Sequence, residues 1–303
     1  MNQVSTYLYL AMAAVFWGGT FVAGRQLAPL LDPYATAFLR FVLASLLLLG
    51  WLYWRLRRFP RVSLRQLLAL AMLGASGVVA YNLMFFAGLQ SVEAGRASLI
   101  IAANPVLIAV ASHWLFGERL GIVRVVGVTM CVGGAMLVIG RGDLAALFHR
   151  GIGAGEWYLL GCVVSWVLYT LIGKRVLHGM SPLLAVSYSS VLGTFMLSLI
   201  VLGRGGVQPV ALDDPRVWGY IGYLAVFGTV LAFVWYYSGV HAIGAARASQ
   251  FINLVPVSGV FLGAWLLDEP LTWSLLFGGG MVLFGLWLTN RHRIARPIRI
   301  REK

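Results

Sequence analysis

Four amide side chains lie deep inside uncharged stretches of this sequence: Asn82, Asn104, Gln250 and Asn253. Each carries donors and acceptors, and left unpaired in hydrocarbon such a group costs several kcal/mol. They must therefore pair across helices or face a wet chamber; the first role is interhelical glue, the second is recognition of uncharged or zwitterionic polar groups. Gln250 and Asn253 are three apart and share one face of a helix.

Aromatic residues accompany them at helical spacing. Trp17, Thr20, Phe21 and Gly24 fall on one face, and Trp166, Tyr169, Thr170 and Gly173 repeat that stripe further along. Tyr81 and Phe85 flank Asn82, while Trp235 and Tyr236 precede His241. Such rings either pack against neighbouring helices or supply stacking surface to a ligand. Pro105 and Pro256 follow the amides closely. A proline has no N–H for the carbonyl four residues earlier, so the carbonyls of Ile101 and Ile252 are released and the helix bends, giving a kink or a gate. His241 is a candidate proton-coupling group. Arg40 is the one charge clearly within an apolar stretch, a functional candidate by position and equally a structural one.

The elements that must hold these residues follow from composition. Of 303 residues, 60% are apolar and 11% charged, against about 25% charged in ordinary soluble domains. Uncharged runs of bilayer-spanning length recur along the whole chain. They predict an all-α integral membrane protein with ten spans, at about 6-26, 33-55, 65-89, 95-116, 122-140, 156-175, 183-202, 216-241, 246-267 and 271-290. The first run has no basic residue before it and outlasts a signal-peptide core, so it reads as a retained helix.

The spans repeat. Arg96-Ala97-Ser98, Pro105 and Glu118 recur 151 residues later as Arg247-Ala248-Ser249, Pro256 and Glu269. Trp17, Gly24, Arg25 and Pro33 recur 149 residues later as Trp166, Gly173, Lys174 and Pro182. Five spans per copy is an odd number, so the second copy enters the membrane inverted. The expected units are residues 1-147 and 148-290, followed by a basic tail, 291-303. Such inverted duplication is a frequent architecture of secondary transporters.

The formal charge of +13 invites a nucleic-acid reading, but its distribution argues for lipid. With the N-terminus inside, sixteen Lys and Arg residues fall on the cytoplasmic side and six on the other. The positive-inside rule therefore places both termini in the cytoplasm, with the tail as an anchor at an anionic leaflet. Cys131 and Cys162, both within spans, are expected to be core residues. No Walker sequence, H-E-x-x-H or G-x-S-x-G elbow occurs, so neither a catalytic residue nor a cofactor or metal is expected.

Trp17-Gly18-Gly19-Thr20-Phe21, the run from Ala97 through Pro105 to Gly117-Glu118-Arg119-Leu120, and Asp268-Glu269-Pro270-Leu271 resemble the paired domains of the EamA family in the drug/metabolite transporter superfamily. The likeness covers essentially the whole chain, and within the family the chain most resembles the bacterial exporters of aromatic amino acids. It implies a bacterial inner-membrane carrier with a substrate path between its halves, lined by helices 1, 3, 4, 6, 8 and 9. The small multidrug antiporters of the superfamily carry a carboxylate in helix 1; this chain has none there, which argues against cation/proton exchange on one buried acid.

The expectation is export of aromatic and other neutral amino acids, or related small metabolites, by alternating access. Trp17, Phe21, Tyr81, Phe85, Trp166, Tyr169, Trp235, Tyr236 and His241 would line the site with Asn82, Asn104, Gln250 and Asn253, while Pro105 and Pro256 would act as hinges. The alternatives are export of flat organic cations through cation-π contacts and, in another class, a membrane-embedded enzyme acting on lipid. The small-molecule substrate and the bilayer are the expected partners, and a monomer suffices.

Overall fold

The structure is a computed structural model that describes residues 3–116, 121–143, 151–176, 180–208, 212–243 and 248–291. The tail from residue 292 onward, Glu118, Arg119 and Arg247 lie outside the described residues, as do the side chains of Pro105, Lys174, Arg175, His241 and Gln250. Among the described residues every element is helical. Seven helices are long and apolar enough to cross a membrane, and three shorter apolar helices accompany them.

In chain order the helices are α1 (Gln3–Leu27), α2 (Pro33–Leu56), α3 (Leu64–Leu89), α4 (Ala94–Ile101), α5 (Asn104–Phe116) and α6 (Ile122–Ile139). After the joint come α7 (Ala154–Val176), α8 (Pro182–Gly203), α9 (215–243), α10 (Leu254–Leu267) and α11 (Trp273–Arg291). Starts are written into the sequence. Asp32 Oδ1 accepts from the N–H groups of Tyr34 and Ala35 at 2.9 and 3.1 Å, with Pro33 in the first turn of α2. Ser181 and Pro182, 149 residues on, open α8 in the same way. Ser63 and Gln66 form a reciprocal capping box at the start of α3.

Four of the ten expected spans are not continuous α-helix. The fourth is broken by a turn at Ala102-Ala103 into α4 and α5, and the ninth begins as a 3-10 turn, Ser249–Asn253, before α10. Both breaks fall immediately before the prolines, as lost N–H groups require. The third and eighth spans hold something the sequence reading did not anticipate: π-helical turns at Gly74–Ala80 within α3 and Val226–Leu231 within α9. These widen the helix by one residue per turn and loosen its carbonyl ladder.

The packing is paired. α1 lies on α9 as α7 lies on α3, and α2 touches α9 as α8 touches α3. α6 and α11 run together through glycines whose missing side chains permit backbone contact. A methyl group at Gly134 would sit 2.5 Å from the carbonyl oxygen of Gly278, and one at Gly285 the same distance from that of Gly127. Cys131, buried here, shares that interface, and Cys162 is buried between α7 and α3. Outward, large apolar side chains such as Leu46, Phe195, Phe261 and Phe277 are exposed, a surface suited to acyl chains rather than water.

Replacing Gly134 by Leu is expected to lower the apparent melting temperature of the detergent-purified protein, because backbone blocks the new side chain and overpacking costs about 1–3 kcal/mol or more. Gly280→Leu, where the space beyond the Cβ is open, should leave the melting temperature within a few degrees of wild type in the same thermal scan.

Candidate functional site

The two π turns meet one side chain. Arg40, on the eighth residue of α2, is 8% exposed and reaches between α3 and α9. Its Nη1 donates to Asn82 Oδ1 at 3.0 Å; its Nε and Nη2 donate to Thr229 Oγ1 at 3.3 and 3.2 Å. Both partners are tied to the loosened backbone. Asn82 Nδ2 donates to the carbonyls of Gly77 and Val78 at 3.1 and 3.0 Å, and Thr229 Oγ1 donates to that of Leu224 at 2.9 Å. A guanidinium thus joins two irregular turns that lie on different halves of the chain. Thr229 carried no signal by itself. The π turns share a matched glycine pair, Gly77 and Gly228, 151 residues apart, which by itself does not mark a widened turn.

The repeat is visible in contacts as well as in letters. Gly77 in the first π turn is covered by the Tyr169 ring of α7, and Gly228 in the second by Thr20 of α1. Thr20 and Tyr169 stand 149 residues apart, the same offset as Trp17 and Trp166. Gly228 also offers its carbonyl oxygen to Trp17 Nε1 at 3.2 Å, which returns a partner to a π-turn carbonyl.

Around these turns the aromatic residues named above form three clusters. In one, Trp166 stacks on Tyr169 at 5.2 Å and meets Tyr81 at 5.4 Å, and Tyr81 stacks on Phe85 at 6.0 Å. In a second, Trp17 meets Tyr236 at 5.5 Å and Phe233 at 5.6 Å, and in a third Trp235 stacks on Phe16 and Tyr9 at 5.3 and 5.2 Å. Trp17, Tyr81, Trp166, Tyr169, Trp235 and Tyr236 are all half-buried. Phe16 and Tyr9 are lining candidates that sequence reasoning passed over, since their spacing from Trp17 alone does not separate them from lipid-facing rings.

Other expected site residues fall elsewhere. Phe21 and Phe85 are 3% and 2% exposed and pack edge to face in the main core, so their rings are occupied by each other. Asn82, 2% exposed, spends its amide on Arg40 and the π turn, the interhelical role rather than the open one. Asn104 differs: it is 9% exposed and its Oδ1 has no hydrogen-bond partner. It opens α5 directly after the break, next to the carbonyl that Pro105 leaves unanswered. Asn253 is half-buried at the end of the 3-10 turn, and Pro256 is buried, its carbonyl accepting from Ser98 Oγ at 3.3 Å.

One end of the bundle is sealed. The chain turns back after α10 through Asp268, held at φ 53° with Glu269 N–H bonded to the Gly263 carbonyl at 3.2 Å. This swings the Glu269 carboxylate onto the start of α4, where its oxygens accept from the Ala94 and Gly95 N–H groups at 2.6 and 2.8 Å. An anion there satisfies unpaired donors and the positive end of the helix. Gly259 lets Ser98 approach just below, so α4 and α10 close on each other. On the same side, Arg25 Nη1 donates to the Leu89 carbonyl at 2.6 Å and Arg96 Nη2 to that of Val138 at 2.5 Å, capping the ends of α3 and α6. An apolar groove of about 250 Å³ runs between α5 and α7, lined by Leu107, Val110, Ala111, Trp114, Val164, Val167 and Leu168. Among the described residues no cluster of side chains could hold a metal ion.

The sequence model of the EamA-like transporter family matches residues 4–140 and 153–291. The chain belongs to this family. It is therefore a multi-pass transmembrane transporter with a small-molecule substrate. Among its relatives, the uncharacterized transporter YyaM of Bacillus subtilis (strain 168) is 28% identical over 289 residues, covering 94% of this chain and 93% of that protein. A probable terminal-alkyne amino-acid exporter of Streptantibioticus cattleyicolor (strain ATCC 35852 / DSM 46488 / JCM 4925 / NBRC 14057 / NRRL 8057) is 29% identical over 300 residues, covering 95% and 94%. A solved crystal structure shares the fold with a TM-score of 0.67 at 18% identity, over 98% of this chain and all of the other.

Glu269→Ala should loosen the seal of this EamA-family protein. With Cys131 and Cys162 replaced by alanine and a cysteine placed at Ser98, the labelling rate of that cysteine by a membrane-impermeant thiol reagent is expected to rise. Loss of the cap should also lower stability by about 0.5–2 kcal/mol in a thermal scan.

Proposed function

We propose that this transporter exports aromatic and other neutral amino acids, or closely related small metabolites, across a bacterial inner membrane by alternating access. The observation that carries the reading is the pair of aromatic clusters, Tyr81–Trp166–Tyr169 and Trp17–Phe233–Tyr236, on helices matched by the repeat. Each offers ring faces beside buried polar groups, a combination suited to a flat apolar side chain with polar ends. The terminal-alkyne amino-acid exporter, whose name gives it an amino-acid substrate, supports the same class.

In this reading the ten spans are two inverted five-helix repeats, residues 1-147 and 148-290, with both termini cytoplasmic by the distribution of Lys and Arg. The Glu269 seal then lies at the outer surface and the α5–α7 groove toward the cytoplasm, as in a carrier open to the inside. Breaks at Pro105 and Pro256 give α4/α5 and α10 the joints at which a seal on one side can be exchanged for one on the other. Trp17, Tyr81, Trp166, Tyr169, Trp235 and Tyr236 would stack on the substrate. Asn104, Gln250 and Asn253, with His241, would meet its polar end. Phe21, Asn82 and Phe85 stand behind them. A monomer contains every part this scheme needs, and no cofactor, metal or catalytic step enters it.

Flux in proteoliposomes with labelled phenylalanine, methionine and an organic cation, each with and without a pH gradient, tests the proposal. Saturable phenylalanine and methionine flux is expected; cation flux without amino-acid flux would sink it. Trp17→Ala and Trp166→Ala should each raise the KM for phenylalanine by roughly tenfold, the effect of losing about 1.4 kcal/mol of stacking and burial, with a smaller effect on methionine.

A further inference from the structure

We infer that Arg40 binds the carboxylate of the transported amino acid, an inference that rests on the substrate class proposed above. Among the described residues no carboxylate pairs with this guanidinium; the described ion pairs are Arg96 with Glu93 and Arg216 with Asp214. Its own bonds all go to neutral oxygens, those of Asn82 and Thr229. A charge so placed has lost its water without gaining an opposite charge, which leaves an anion strongly favoured beside it.

The donors fit that role. A guanidinium has five N–H groups in a planar fork, and the three bonds to Asn82 and Thr229 use one each on Nε, Nη1 and Nη2. One N–H therefore remains on each terminal nitrogen. Each terminal nitrogen can offer its remaining N–H to an oxygen of a carboxylate. Asn82 and Thr229 hold the fork in place, so little ordering is needed when the anion arrives.

Position supports the same assignment. Asn82, which holds Arg40 Nη1, directly follows Tyr81 in α3, and Tyr81 belongs to the cluster with Trp166 and Tyr169. A carboxylate on Arg40 leaves its aromatic side chain within reach of those rings. The residue 149 positions after Arg40 is Ser189, whose hydroxyl is bonded to the Val186 carbonyl. One charge without a repeat mate accounts for one carboxylate, and it repels the organic cations that the same rings would attract.

The test is equilibrium binding to the detergent-purified full chain with four probes: phenylalanine, phenylalaninamide, 3-phenylpropionate and phenethylamine. Wild type should bind the two carboxylates about tenfold to a hundredfold more tightly than the two probes that lack one. Arg40→Gln should abolish that preference by weakening the carboxylates while leaving phenylalaninamide unchanged, and Arg40→Lys should keep part of it. Equal weakening of acid and amide in Arg40→Gln would make Arg40 structural and overturn the inference. If Arg40→Gln does not fold, the wild-type series decides: equal binding of phenylpropionate and phenethylamine overturns the inference. Phenylalanine flux without a carboxylate preference defeats this inference alone; absence of all amino-acid flux defeats the substrate reading as well.

Discussion

In hydrocarbon every backbone N–H and carbonyl needs a partner within the protein, and this constraint governs where the chain can depart from a regular helix. Among the described residues it departs in four places, and the two π turns are answered by specific side chains. Asn82, Thr229 and Trp17 return partners to the π turns of α3 and α9, and Arg40 ties Asn82 to Thr229. Near the second break, Ser98 reaches across to the Pro256 carbonyl and ties α4 to α10. Irregular backbone inside a membrane is tolerated where protein or a wet cavity surrounds it, so these turns mark the interior where a substrate path belongs.

The scaffold was largely legible in the sequence, because length, apolarity and duplication leave their marks residue by residue. The ends of α2 and α3 fall within a residue of their expected positions, since Asp32-Pro33 and Ser63 are local signals. The breaks at the prolines were legible for the same reason. The π turns were not: nothing in Gly74-Ala75-Ser76-Gly77 separates a widened turn from a site of close helix approach. Arg40 was visible as a misplaced charge, but its partners were not, since Thr229 lies 189 residues away and reads as an ordinary threonine. Phe21 and Phe85 show the opposite limit. Their spacing puts them on the stripe with Trp17 and Tyr81, yet depth decides burial, and spacing carries no depth.

The seal between α4 and α10 illustrates how a helix end becomes a clasp. Glu269 accepts from two N–H groups that α4 cannot satisfy itself, so closing the bundle there removes two unpaired donors at once. Gly95, Gly259 and Gly263 keep the helices near enough for this to happen. Breaking the clasp exposes both the donors and the carboxylate, and water at a membrane surface can take them back. Such an interaction is reversible at modest cost, whereas the glycine-lined contact of α6 with α11 gains nothing from parting.

At Gly77 the space beside the π turn is filled by the ring of Tyr169; at Gly228, its counterpart, it is filled by Thr20, with Arg40 beyond. A phenol in one half does the space-filling that a small hydroxyl and a guanidinium do in the other. Two copies of the first half joined together would place Thr20 and Arg40 at both turns and Tyr169 at neither, while two copies of the second would place Tyr169 at both and Arg40 at neither. The two turns match in backbone but not in what fills them, so each depends on side chains that only the other part of the chain supplies.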